Sequence, residues 1–189
     1  DRGLVGSEMC IRDRIICAWD LIKKELTKNK SEFLPVDSEH FSIWQSLGGF
    51  NVSNVEKIYI TASGGPFLNL PISQFKKVKP SNAINHPIWK MGKKISIDSS
   101  TMMNKVFEIL EAQKIFNLKK KQLEILIHPA AYLHSIIKFN NGTSKLLVHE
   151  TNMKIPIFNT LYDKNQKILS SKRVDIKKLN NLNLSLIHI

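Results

Sequence analysis

The chain has 189 residues, enough for one ordinary domain with a real core and too few for a large multidomain assembly. Its 42% hydrophobic and 23% charged content is that of a globular protein, and no apolar run approaches the roughly 18 residues of a membrane-spanning helix, which argues against a membrane protein. Lys and Arg total 28 against 16 acids, a net charge of +12 that favours anionic partners without choosing among nucleic acid, anionic lipid and phosphorylated small molecules. Cys10 and Cys17 have no Cys-x-x-Cys spacing, so neither a disulfide framework nor a cysteine zinc site is supported, and a reducing cytoplasm is the expected compartment.

Basic residues are overwhelmingly lysine, and three of the four arginines, Arg2, Arg12 and Arg14, fall in the first fourteen positions. The stretch DRGLVGSEMCIRDR has no helical or alternating apolar period, and the final SLIHI follows a Lys/Asn-rich stretch without turn chemistry. Residues 1–14 and 185–189 are therefore expected to be non-native and are set aside. The charges of the first stretch cancel, so the basic character belongs to residues 15–184.

From Ile15 onward, Ile16, Trp19, Ile22 and Leu26 recur at three- and four-residue steps and predict an amphipathic helix. FLPV (33–36) reads as a short strand, succeeded by the polar DSEH and a helix over HFSIWQSL that stops at Gly48 and Gly49. KIYITA (57–62) reads as a strand running into the tight turn SGGP. Pro71, Pro80 and Pro87 limit the segment 66–91 to short helical pieces, the signature of a lid or irregular loop. KISID (94–98) reads as another strand, and SST (99–101) as the cap of the next helix. QLEILIHP and AYLHSIIKF read as strands, NNG (140–142) as a hairpin turn into TSKLLVHE, and NMKIPIFNTLYDK as a helix. The expected class is α+β, a small mixed sheet with helices on one face and an active site at strand ends.

Asp37 and Glu39 flank Ser38 where the chain turns. They suit either a hard cation such as Mg²⁺ or Mn²⁺ or the start of a helix that needs acidic caps. Asn104, Glu108 and Glu111 share one helical face, with Lys105 beside Asn104, so Glu108 either completes a three-carboxylate metal site or belongs to a polar face. Ser63 with Gly64 and Gly65 after a strand, and Ser99 with Ser100 and Thr101 at an expected helix N-terminus, offer hydroxyls and backbone N–H groups of the kind that hold phosphate. His86 and Trp89 lie on the proline-punctuated segment, as a substrate cover or an anchor for the loop. His128 and His134, in or beside strands, read as structural histidines.

In this order, LPVDSEH (34–40), TASGGPF (61–67), HPIWKMGKKISIDSSTMMNK (86–105), EILEA (108–112) and LIHP (126–129) resemble 1-deoxy-D-xylulose 5-phosphate reductoisomerase over residues 15–163. The resemblance implies an NADPH-dependent, Mg²⁺-, Mn²⁺- or Co²⁺-requiring oxidoreductase that makes 2-C-methyl-D-erythritol 4-phosphate from a phosphorylated ketose in non-mevalonate isoprenoid synthesis. Matched block to block, it implies metal ligation by Asp37, Glu39 and Glu108. The same matching gives catalytic or substrate contacts at Ser38, Ser63, His86, Ser99, Asn104, Lys105 and Glu108, a flap over 66–91 closed by Trp89, and nicotinamide neighbours Ala62 and Met91. It further implies a homodimer through the strands near 131–149.

Two departures qualify this. No Gly-x-Gly-x-x-Gly fingerprint occurs, and the place of the family's Ala-Asn-Lys-Glu-Ser block holds Arg12 to Arg14. The expectation is an internal fragment, with residues 15–163 as catalytic and dimerisation domain and 164–184 as the start of a linker. The amino-terminal Rossmann domain and carboxy-terminal helical domain would then be absent, and activity alone would be very low. The alternative, a basic nucleic-acid-binding module, rests on the +12 charge and runs such as Lys119 to Lys121, but no binding motif or interleaved aromatic supports it, so no nucleic-acid partner is expected.

Overall fold

A computed structural model of the chain describes residues 2–89, 91–162 and 167–186, with residues 2–13 followed as backbone only. A five-stranded mixed sheet has the order β4-β3-β1-β2-β5, built from β1 (Val55–Ala62), β2 (Leu123–Ile127), β3 (Leu133–Phe139), β4 (Ser144–Val148) and β5 (Ser185–Leu186). β1 and β2 run parallel, with Ile60 opposite Ile125, while β1–β3, β3–β4 and β2–β5 are antiparallel. The parallel pair needs a long crossover. That crossover carries the flap segment and the helices α3 (Pro80–Ala83), α4 (Lys93–Ser100) and α5 (Met103–Ile115).

The core lies on one face of the sheet. Ile58 and Ile60 of β1 and Ile137 and Phe139 of β3 point into it, and α2 (Ser38–Leu47) closes it with Ile43 and Leu47. Ala112 of α5 completes the layer, its small side chain letting that helix lie close to the sheet. α1 (Arg2–Lys28) packs along α5 and places Trp19 edge-on to Phe33 at 5.2 Å. α6 (Lys154–Leu161) sits against α2, and Thr160 Oγ1 donates to the Pro35 carbonyl at 3.1 Å.

Three expectations are corrected. Residues 33–36 are an irregular extended segment and not a strand, since Pro35 has no N–H to give a ladder and the Pro35 carbonyl is taken by Thr160. KISID is helical within α4, because the apparent alternation hides a helical face on which Ser96 and Ser100 are buried one turn apart, supported by a Lys94–Asp98 ion pair at i,i+4. Ser99 and Ser100 consequently end α4, and α5 starts only at Met103 after Met102 at φ 60°. The stretch before Arg14 is helical in its backbone, as its Leu, Met, Glu and Arg content allows without any apolar stripe, and a break at Ala18 (φ −124°, ψ 16°) separates it from the rest of α1. Of SLIHI, Ser185 and Leu186 form β5, and residues 187–189 lie outside the described residues, as do 163–166 where the linker is expected to begin.

His134 on β3 and His149 just after β4 stack face to face, ring centroids 3.6 Å apart, and His134 Nε2 lies 3.2 Å from the His149 carbonyl. Burial pushes both below their ordinary value of 6.5, His134 far below it, and the neighbouring His149 lowers His134 further. The unfolded chain thus takes up protons near pH 6.5 that the folded chain refuses. Stability contributed by this pair is complete above that pH and declines as pH falls below it, by up to about 1.4 kcal/mol per pH unit for each histidine. Urea titrations at a series of pH values check this: the wild type should lose stability steadily below pH ~6.5, and a His134→Phe/His149→Phe variant should lose much of that dependence.

Candidate active site

The Ser63–Gly65 turn at the end of β1 faces the junction of α4 and α5. Gly64 and Gly65 have φ of +89° and +70°, and a Cβ on Gly65 would stand 2.7 Å from the Ser99 carbonyl oxygen. Glycine is required here both for the left-handed backbone and for the close approach that puts the Ser63 turn against Ser99 and Ser100.

The flap segment returns to this turn through His86. Ser63 Oγ lies 3.1 Å from His86 Nε2, while His86 Nδ1 accepts the backbone N–H of Trp89 at 2.9 Å and of Ile88 at 3.2 Å. With Nδ1 accepting twice, the neutral ring carries its proton on Nε2 and donates to Ser63. Burial lowers His86, and the Lys105 charge lowers it further. The bonds that hold Trp89 therefore survive at neutral pH. Trp89 meets His134 edge to face at 6.2 Å.

The second half of the site comes from two helix starts. Asp37 caps α2, its carboxylate accepting the N–H of Glu39 at 3.1 Å and of His40 at 3.5 Å, and so it is both a helix cap and a cleft-facing acid. Glu108 lies one turn beyond Asn104 on α5 and is 1% exposed. Carboxylate oxygens of Asp37, Glu39 and Glu108 lie within 4.8 Å of one another. The Lys105 Nζ bridges two of them, at 2.6 Å from Glu39 Oε1 and 2.6 Å from Glu108 Oε2. Burial opposes its charge, but the Glu108 and Glu39 carboxylates outweigh burial and hold Lys105 firmly protonated. Ser38 donates to Glu39, and Asn104 donates to Glu108.

These groups line one cavity of about 540 Å³. Around it stand Asp37, Ser38, Glu39, Ser63, His86, Trp89, Met91, Ser99, Asn104, Lys105 and Glu108, with Phe33, Ile95 and Ile115 forming an apolar flank. Of the site residues expected from the resemblance, Ala62 alone does not line the cavity. It is buried at the end of β1, where its carbonyl accepts the His128 N–H at 2.7 Å. Ser99 reaches the cavity from the end of α4, not from a helix N-terminus.

Two residues were not recognised from the sequence as part of the site. His40 is buried, with Nδ1 3.2 Å from Asp37 and Nε2 3.1 Å from the Glu108 carbonyl and 3.8 Å from Glu111 Oε2. Burial opposes protonation, but the Asp37 hydrogen bond and the Asp37, Glu111 and Glu108 charges together raise His40 to about 9. Glu111 stood out only as a member of a helical face. The available signal was paired spacing, a histidine three residues after Asp37 and an acid three residues after Glu108, which says nothing about whether the two meet.

Residues 33–116 match the family model described as 1-deoxy-D-xylulose 5-phosphate reductoisomerase C-terminal domain. The chain is 65% identical over 173 residues to the 1-deoxy-D-xylulose 5-phosphate reductoisomerase of Pelagibacter ubique, covering 92% of this chain and 45% of that protein. It is 39% identical over 171 residues to that of Clostridium perfringens, covering 90% and 44%. Over about nine tenths of its length this chain is similar to 1-deoxy-D-xylulose 5-phosphate reductoisomerases. Among solved structures, a DOX-P reductoisomerase in complex with NADPH, fosmidomycin and magnesium superposes with a TM-score of 0.85 at 34% identity, over 93% of this chain and 46% of that one. The Zymomonas mobilis enzyme in complex with NADPH gives 0.83 at 33% identity, over 93% and 45%. The chain thus spans less than half the length of these reductoisomerases.

Proposed function

We propose that this chain supplies the metal- and substrate-binding part of a 1-deoxy-D-xylulose 5-phosphate reductoisomerase, which converts that ketose phosphate to 2-C-methyl-D-erythritol 4-phosphate with NADPH. The observation that carries the reading is the meeting, in one cavity, of three carboxylates with hydroxyls, an amide and a lysine suited to phosphate.

The donor set fits a divalent cation: three carboxylates within 4.8 Å are hard oxygen ligands, and Ser38 and Asn104 already donate to two of them and fix their orientation. Asp37, Glu39 and Glu108 would hold Mg²⁺ or Mn²⁺, with Co²⁺ as a further choice. When bound, such an ion polarises the carbonyl and hydroxyl oxygens of the ketose. NADPH supplies the hydride. Of the nicotinamide neighbours expected from the resemblance, Met91 lines the cavity and Ala62 does not.

The chain's own residues do the positioning. Lys105, Ser63, Ser99 and Asn104 bind the phosphate, so that binding energy away from the reacting carbons orients them. His86, neutral and donating from Nε2, joins the flap to the Ser63 turn. Trp89, held by its own N–H to His86, covers the substrate and keeps water from the reacting carbons. Residues 15–163 form the functional unit on this reading, and 164–184 lead out of it. Among the described residues no helix is long and apolar enough to cross a membrane. Cytoplasmic residence is part of the proposal, in line with NADPH chemistry. A homodimer is also proposed, supported by β4, an edge strand with Leu146 45% exposed. Sedimentation equilibrium finding only folded monomer would remove it.

Calorimetric titration of fosmidomycin into the chain, with and without Mg²⁺, tests the central reading. Binding should require Mg²⁺ and should fall at least tenfold in Glu108→Gln. Binding indifferent to Mg²⁺, or none by a folded chain with Mg²⁺ present, contradicts the reading.

A further inference from the structure

We propose that His149 is a positioning residue for the flap: its ring, stacked on His134, holds the imidazole against which the Trp89 indole docks. The inference rests on the reading of 66–91 as a flap that Trp89 closes over a bound phosphorylated substrate. It extends that reading to a residue that lies outside the cavity, since neither His134 nor His149 lines it.

Four rings run in a row from α2 to the flap. Phe41 of α2, 3% exposed, meets the His149 ring edge-on with centroids 6.3 Å apart. His149 stacks on His134 at 3.6 Å with the planes only 15° apart, and His134 meets Trp89 at 6.2 Å and 68°. These are the stacked and edge-to-face arrangements that aromatic pairs prefer. The backbone orients both imidazoles. His149 Nδ1 donates to the Glu150 carbonyl at 2.7 Å, and His134 Nε2 donates to the His149 carbonyl at 3.2 Å. The His149 N–H itself donates to the Tyr132 carbonyl at 2.9 Å, which pins the end of β4 to the start of β3.

The sheet is irregular at this point. Leu133 stands opposite Val148 and Ser135 opposite Leu147, so β3 holds one extra residue there, His134. A bulge of this kind re-aims the side chain it inserts, and the inserted residue has no ladder neighbour opposite to brace it. The flat His149 ring is the brace. Without it, a void opens beside His134 into which the imidazole can turn, and the face that Trp89 meets turns with it. The N–H bond from Trp89 to His86 stays within the flap, whereas the His134 contact ties the indole to the sheet.

The test replaces the three tryptophans with 5-fluorotryptophan and reads the chain by ¹⁹F NMR at pH 8, with Trp89→Phe identifying the Trp89 signal. Release of fosmidomycin from the Mg²⁺-loaded chain is timed by surface plasmon resonance, and circular dichroism verifies folding. Fosmidomycin with Mg²⁺ should move the wild-type Trp89 signal. If the wild type does not bind, the reading of the site fails and this inference with it; if it binds without moving that signal, the flap alone is misread, and the inference again falls. Given both, His149→Ala should speed release about fivefold. It should also shift the Trp89 signal of the ligand-free chain while leaving Mn²⁺ affinity at the wild-type level. His149→Phe, which keeps a flat ring in the stack, should restore release to within about twofold of wild type. Wild-type release in a folded His149→Ala overturns the inference. So does a loss of Mn²⁺ affinity in step with faster release, or no rescue by His149→Phe, since either marks a general loosening of the structure. Should His149→Ala not fold, His149→Leu, which fills the space without a flat face, decides: wild-type release in it overturns the inference.

Discussion

The Lys105 ammonium between Glu39 and Glu108 is the interaction on which the site depends. Three carboxylates within 4.8 Å repel one another by something on the order of 3 kcal/mol per pair at an effective dielectric near 20. Summed over the cluster, that rivals the whole stability of a small domain, roughly 5–15 kcal/mol. Such a cluster persists only with counter-charge inside it. Lys105 and the His40 ring supply two positive charges, and Ser38 and Asn104 add neutral donors to the acids that need them. On the proposed reading, an ion with two charges would take over the acceptors that one ammonium now bridges.

The fold's contribution is to bring distant pieces of sequence to one place. β1 carries the Ser63 turn to the C-terminal end of the central strand, the crossover brings Ser99 against Gly65, and α2 and α5 lie side by side on the same sheet face. Glu39 and Lys105 are 66 residues apart in sequence and 2.6 Å apart in space. That approach requires the small Ala112 beneath α5 and the apolar layer of Ile43, Ile58, Ile60 and Ile137 behind both helices. A site built on helix starts and a strand end is held by elements that are themselves packed, which suits a centre that must hold several ligands at once.

Much of the sheet was legible in the sequence, because β1 and β3 are rich in β-branched residues, β2 is a short apolar run ending before Pro129, and β4 follows the Asn140–Gly142 turn. The failures have a common cause. KISID alternates apolar and polar residues as a strand would, yet its helix buries two serines whose hydroxyls bond back to the Gly92 and Ile97 carbonyls, a pattern that hydrophobicity cannot reveal. FLPV is apolar without being paired, since its aromatic goes to Trp19. For the site, residue type and spacing singled out Asp37, Glu39, Glu108 and Lys105 individually but by themselves favoured a solvated polar face over a metal centre. Only tertiary proximity separates those readings, and it depends on the angle between α2 and α5, which no local pattern encodes. The His40–Glu111 contact escaped for the same reason.

The most direct measurement is the Mn²⁺ affinity of the chain compared with that of Lys105→Met, determined by calorimetry at neutral pH. If Lys105 is the resident counter-charge of a cation centre, removing it frees the Glu39 and Glu108 oxygens and Mn²⁺ should bind about tenfold more tightly. Unchanged or weaker binding by a folded Lys105→Met variant would contradict the account, because the three acids would then be a lysine-satisfied polar cluster with no cation to hold.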